Sequence, residues 1–97
     1  MKHTIFALAS APGRAGVSII RLSGGKALWA VQHLTPKSLT PRMAIYTPLT
    51  WQGEVIDEAV VVWFKAPHSF TGEDCVELHI HGSKAILDRL YLILVEL

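Results

Sequence analysis

Residues 68–82 read HSFTGEDCVELHIHG, and the fold turns on how this stretch is read. From Cys75 to His81 polar and apolar residues alternate. Val76, Leu78 and Ile80 fall on one side, and Glu77, His79 and His81 on the other. A period of two is the signature of a strand with one buried face. The preceding Thr71-Gly72-Glu73-Asp74 is turn chemistry. Ser83, just beyond, is a suitable N-cap for a helix running toward the C-terminus.

The same reading extends outward. Residues 55–65, VIDEAVVVWFK, are β-branched and apolar, which predicts a long central strand. Gln52-Gly53 marks a turn, and residues 42–50 a strand before it. Residues 35–41, TPKSLTP, form a loop with two prolines. Near the N-terminus, 4–9 and 17–23 read as strands joined by the loop SAPGRAG. Gly24 and Gly25 break the second strand. Residues 26–34 then read as a helix, with Ala27, Val31 and Leu34 on one stripe. The order is ββα, a hairpin, then βα: an α+β domain with a small mixed sheet and two helices, not the regular alternation of a doubly wound fold.

Composition bounds the function. The chain has 97 residues, enough for one small domain with one core. Half of it is apolar, and the net charge of +1 announces no nucleic-acid face. Cys75 is the only cysteine, so an intrachain disulfide and a cysteine-rich zinc site are excluded. Apolar runs are far shorter than the ~20 residues that cross a bilayer. The N-terminus lacks a secretory apolar core. The expected location is the cytoplasm. The final helix, however, reads LYLILV from Leu90 and is apolar all round. Such a helix needs cover on every side. This leads us to expect that the chain is a piece of a longer protein, or that the helix packs on a partner.

Several motifs bear on chemistry. Ser23–Ala27, SGGKA, resembles the end of a phosphate loop. Ile20 stands where that motif needs its first glycine, and Ala27 where it needs a hydroxyl. A plain strand–turn–helix is expected there. His79 and His81 share a strand face and with His68 would supply three imidazoles for a metal, although no carboxylate–histidine motif of metal spacing accompanies them. Glu73 and Asp74 are adjacent acids in what is already good turn chemistry. Glu77 and Arg21 are charges set inside apolar strands, where each needs a partner or an exit to water. Two readings stay open. Either they pair with each other, or both hold a polar ligand, the carboxylate taking two parallel N–H donors and the guanidinium taking oxygens.

Three stretches carry a family resemblance: TIFALASAPGRAGVSIIRLSG (4–24), PRMAIYTPL (41–49) and GEVIDEAVVVWFKAPHSFTGEDCVELHIHG (53–82). In this order they resemble the N-terminal domain of the MnmE/TrmE tRNA-modification GTPases, over essentially the whole chain. The resemblance implies an α+β domain similar to folate-binding domains of one-carbon transfer proteins. It implies a homodimer that binds 5-formyl- or 5,10-methylene-tetrahydrofolate. The arginine of IIRLSG falls on Arg21 and the second glutamate of TGEDCVEL on Glu77, and both are implied folate contacts. The glycine loop (Gly13, Arg14, Gly16) and Thr71 with Glu73 are implied as further pocket or dimer contacts. No catalytic residue is implied in this chain. Helical and GTPase domains, with their GTP, magnesium and potassium, lie beyond Leu97 in the family, as does a lysine that reaches the folate. The complete protein works with the flavin-dependent partner MnmG/GidA on the wobble uridine of tRNA. Ala15 and Ser83 depart from the family pattern, each replacing a residue that is commonly glycine.

Overall fold

The computed structural model describes residues 4–9, 16–69 and 71–97. Five strands and two helices follow in the order β1 (Ile5–Leu8), β2 (Val17–Ser23), α1 (Ala27–Gln32), β3 (Ile45–Trp51), β4 (Glu54–Phe64), β5 (Cys75–His81) and α2 (Lys84–Glu96). The strands make one sheet in the order β1-β2-β5-β4-β3. Every pair of named strands is antiparallel. Among the described residues the one parallel pairing is an isolated bridge between Pro41 and Trp63. The expected α+β class and both helices are present. The Gly13 and Arg14 assignments lie outside the described residues.

Both helices cover the same face of the sheet. Ile20 and Leu22 of β2, Ala59 and Val61 of β4, and Val76, Leu78 and Ile80 of β5 are buried against Ala27, Ala30, Val31 and Leu34 below, and against Leu90, Ile93 and Leu94 of α2. Alternation in β5 therefore sorts its residues as their order predicts. Phe6 of β1 closes one side of this core with its ring centroid 5.4 Å from that of Tyr91, edge to face. Ser83 caps α2, its Oγ accepting the Ile86 N–H at 3.4 Å. Along α2 the all-round apolar pattern leaves Leu92 and Val95 exposed while Leu90, Ile93 and Leu94 are buried. No described helix is long and apolar enough to cross a membrane.

Some boundaries move for local reasons. β3 begins at Ile45 rather than Arg42, because Arg42 takes φ 65° and donates its N–H to the Trp63 carbonyl at 2.7 Å. The β3–β4 turn has positive φ at both Gln52 and Gly53, the twist that suits a two-residue hairpin. Gly24 has φ +134°, and a Cβ there would lie 2.6 Å from Thr4 Cα. SGGKA is thus a close-packed glycine turn into α1.

Candidate functional site: a charged cluster on the open face of the sheet

Among the described residues no element covers the face of the sheet away from the helices. Register decides what meets there. Arg21 stands opposite Glu77 across β2 and β5, and Ala7 opposite Arg21 across β1 and β2. On the other flank Val62 pairs with Glu77 and Val60 with His79. The three polar residues therefore sit in the middle of the sheet, ringed by aliphatic side chains of neighbouring strands. Ile5, Val17 and Tyr46 on this face are more than half exposed.

Glu77 is the centre of the cluster. Only 8 % of it is accessible. An unpaired carboxylate at such a depth costs several kcal/mol. Two neighbours offset this. Arg21 donates to Oε2 through Nε at 3.1 Å and Nη2 at 2.7 Å. His79 Nε2 lies 3.0 Å from Oε1. A carboxylate only accepts, so Nε2 carries the proton of this bond. Burial alone would push the Glu77 pKa up. The bonds from Arg21 and His79, with their charges, outweigh it and hold the pKa below the ordinary 4.5. The group is an anion at neutral pH.

Two hollows flank this cluster. One, of about 220 Å³, lies on the β1 side and is lined by Ile5, Ala7, Leu8, Arg21, Ser23 and Thr71, among others. The second, of about 280 Å³, lies on the β3–β4 side, with Val17, Tyr46, Glu58, Val60 and His79 in its wall. Both are walled mainly by apolar groups and both open beside an engaged charge. A ring with a polar edge suits such a place.

The other expected site residues divide. Thr71 lines the β1-side hollow with Arg21, its hydroxyl 2.7 Å from Ser23 Oγ and 3.5 Å from the buried Cys75 Sγ. Glu73 turns its carbonyl to the Ser69 hydroxyl and its N–H toward Thr71 Oγ1. Gly16 lies at the opposite end of β2, its carbonyl accepting the Gly82 N–H at 3.1 Å. The structure does not bring Gly16 to Thr71 and Glu73. Asp74 is a loop brace: its Oδ1 accepts the Ala66 N–H at 2.8 Å and its carbonyl the Gly24 N–H at 2.9 Å. His68 lines a separate hollow with Arg42 and Phe64, apart from His79 and His81. Among the described residues no group of three His, Cys, Asp or Glu converges as metal ligands. Two contacts were not read from the residues: the His79–Glu77 bond and the capture of His81 by Asp57. Shared strand parity was a signal for the first, and an aspartate inside the β-branched run 55–62 for the second.

The chain is similar in sequence to known proteins. The chain matches the family described as GTP-binding protein TrmE N-terminus over residues 4–97. It is 50 % identical over 91 residues to the tRNA modification GTPase MnmE of Pasteurella multocida (strain Pm70), covering 93 % of this chain and 20 % of that protein. To the tRNA modification GTPase MnmE of Paramagnetospirillum magneticum (strain ATCC 700264 / AMB-1) it is 52 % identical over 99 residues, covering all of this chain and 22 % of that protein. With the protein of the same name from Roseobacter denitrificans (strain ATCC 33942 / OCh 114) it shares 59 % identity over 86 residues, or 87 % of this chain and 20 % of that one. The chain thus spans about a fifth of the length of these relatives.

Proposed function

The chain belongs to the family of the GTP-binding protein TrmE N-terminus, and on that premise we propose that it is the folate-binding and dimerisation module of a GTPase that modifies the wobble uridine of tRNA. The ligand is 5-formyl- or 5,10-methylene-tetrahydrofolate. The observation that carries this reading is the Arg21–Glu77–His79 cluster, a buried anion on an uncovered sheet face between two apolar hollows. An amino-pyrimidinone edge presents N–H donors of the kind a carboxylate accepts. Glu77 takes that edge and Arg21 a ligand oxygen. When bound, the folate supplies the one-carbon unit. The residues of this chain hold and orient it. The uncovered face, with Ile5, Val17 and Tyr46 exposed, supports a homodimer. GTP hydrolysis, the flavin-dependent partner MnmG/GidA, the tRNA and a cytoplasmic location belong to the complete protein under this reading.

Calorimetric titration with 5-formyl-tetrahydrofolate tests it, using this chain and the full-length protein that this reading implies. Binding is expected in at least the full-length protein, and Glu77→Ala and Arg21→Ala each abolish it. Absence of binding in both proteins, or unchanged affinity in both variants, overturns the folate assignment. A second reading is favoured by the directness of the Arg21–Glu77 pair: the cluster is an internal brace and the domain a purely structural assembly module. Under it the titration is silent, while sedimentation still finds a dimer.

A further inference from the structure

The net charge of +1 hides a split along the chain. Residues 1–53 contain no aspartate or glutamate, and all 8 acids fall between Glu54 and Glu96. Such asymmetry between halves is a mark of anion binding. Within the basic half Arg21 lies on Glu77, Lys26 over the Trp29 ring, and Lys37 donates to the Tyr46 carbonyl. Arg42 differs. Neither its guanidinium nor the His68 ring has a hydrogen-bond or ion-pair partner among the described residues. Both line one hollow of about 510 Å³, together with Phe64, Pro67 and Ser69. The acids of the same loop, Glu73 and Asp74, do not line it. Arg42 is also fixed by its backbone. It takes φ 65°, a region costly for a residue with a Cβ, and its N–H donates to the Trp63 carbonyl at 2.7 Å. Pro41 bridges Trp63 beside it. Strain of this kind persists where its surroundings impose it, and it clusters at ligand sites.

We infer that this hollow holds a nucleotide, its phosphate on the Arg42 fork and the His68 ring N–H, its base against Phe64 and Pro67. The planar guanidinium offers two parallel donors to two phosphate oxygens. The fork alone would also satisfy a flat carboxylate. His68 comes from a different segment and adds a donor for a third oxygen, which a tetrahedral phosphate has and a carboxylate lacks. Inorganic phosphate fills only a small part of the hollow, whose volume falls in the range of about 300–1,000 Å³ typical of organic ligands. Phe64 supplies an aromatic surface, on which any base can stack. The nucleotide is either free or one unit of an RNA strand, and the contacts are the same in both. The inference does not rest on the folate reading, because none of these residues belongs to the Glu77 cluster.

Titration of this chain with adenosine monophosphate, followed by amide shifts in NMR, tests it. Shifts are expected at Arg42, Phe64, His68 and Ser69. Arg42→Lys keeps the charge but loses the fork, and it weakens binding by roughly tenfold. Arg42→Gly suits the positive φ and so preserves the fold, and it weakens binding by roughly tenfold or more. Lys84→Gln removes an exposed cation elsewhere and leaves affinity within about twofold. A short single-stranded oligoadenylate, read at the same amides, separates the two sources. Tighter binding than the mononucleotide upholds the site and assigns it to an RNA strand. Equal or weaker binding upholds it for a free nucleotide. Absence of shifts at these amides with both probes overturns the inference. So does unchanged affinity in Arg42→Gly, or an equal loss in Lys84→Gln. Inorganic phosphate or adenosine binding as tightly as the mononucleotide overturns it as well.

Discussion

Asp57 and His81 make a two-point contact across β4 and β5: Oδ2 accepts the His81 backbone N–H at 2.9 Å, and Oδ1 lies 2.7 Å from His81 Nδ1. The side chain of one strand thus extends the ladder of the next, just beyond its last paired residues, Val60 and His79. Asp57 is buried, so its removal leaves an amide without its acceptor. Asp57→Ala is expected to cost about 1–3 kcal/mol, measured by urea unfolding. Asp57→Asn, which keeps an acceptor, costs less.

Acid sensitivity follows from Glu77. Its folded pKa lies below the ordinary 4.5, so the folded state binds this proton less readily than the unfolded one. The resulting stability is present above that ordinary value and is lost as pH falls through the lower, folded value. The urea midpoint is expected to fall on acidification from pH about 5 to about 3. In Glu77→Gln that part of the slope disappears. Carboxyl NMR titration supplies the complement: the Glu77 midpoint rises in His79→Leu and rises in Arg21→Ala.

Adjacent glycines are expected to differ in their tolerance of a side chain. Gly24 combines φ +134° with a Thr4 Cα only 2.6 Å from where a Cβ would sit, whereas Gly25 has nothing within 4 Å of that position. Gly24→Ala is expected to destabilise by more than about 1 kcal/mol. Gly25→Ala stays within about 0.5 kcal/mol of neutral. Thermal unfolding of the pair distinguishes them.

The last helix offers a contrast between neighbours. Leu90 is fully buried and Leu92 is 72 % exposed. Leu90→Ala is expected to cost about 2–5 kcal/mol through lost burial and a residual cavity. Leu92→Ala changes the unfolding free energy by less than about 0.5 kcal/mol. A large loss in Leu92→Ala would place that side chain under cover.

Much of this arrangement was legible in the chain, because it follows local rules. Alternation in β5 assigned Val76, Leu78 and Ile80 to the core, and it placed Glu77 beside His79. The glycine pair after β2 marked its end. Less legible was anything set by register. That Arg21 faces Glu77 depends on how β2 slides against β5, and a shift of one residue would have sent the arginine to the helices. Sequence reasoning left pairing and ligand contact open for that reason. The structure supplies the pair. Gly16 and Thr71 lie at opposite ends of β2, a separation that no motif reports. Asp57 was hidden in an apolar run because its partner is a backbone amide, which has no residue-type signature.

The β3–β4 hairpin turn carries a practical consequence. Gln52 and Gly53 are exposed, and Glu54 lies eight positions along β4 from Val62, the partner of Glu77. At about 3.3 Å per residue the turn is on the order of 26 Å from the charged cluster. Lengthening a surface loop is thermodynamically cheap, about 0.6 kcal/mol per doubling. The turn is therefore a natural tether point, where a dye or a surface linker can be grafted while the anion and both hollows remain accessible to solution.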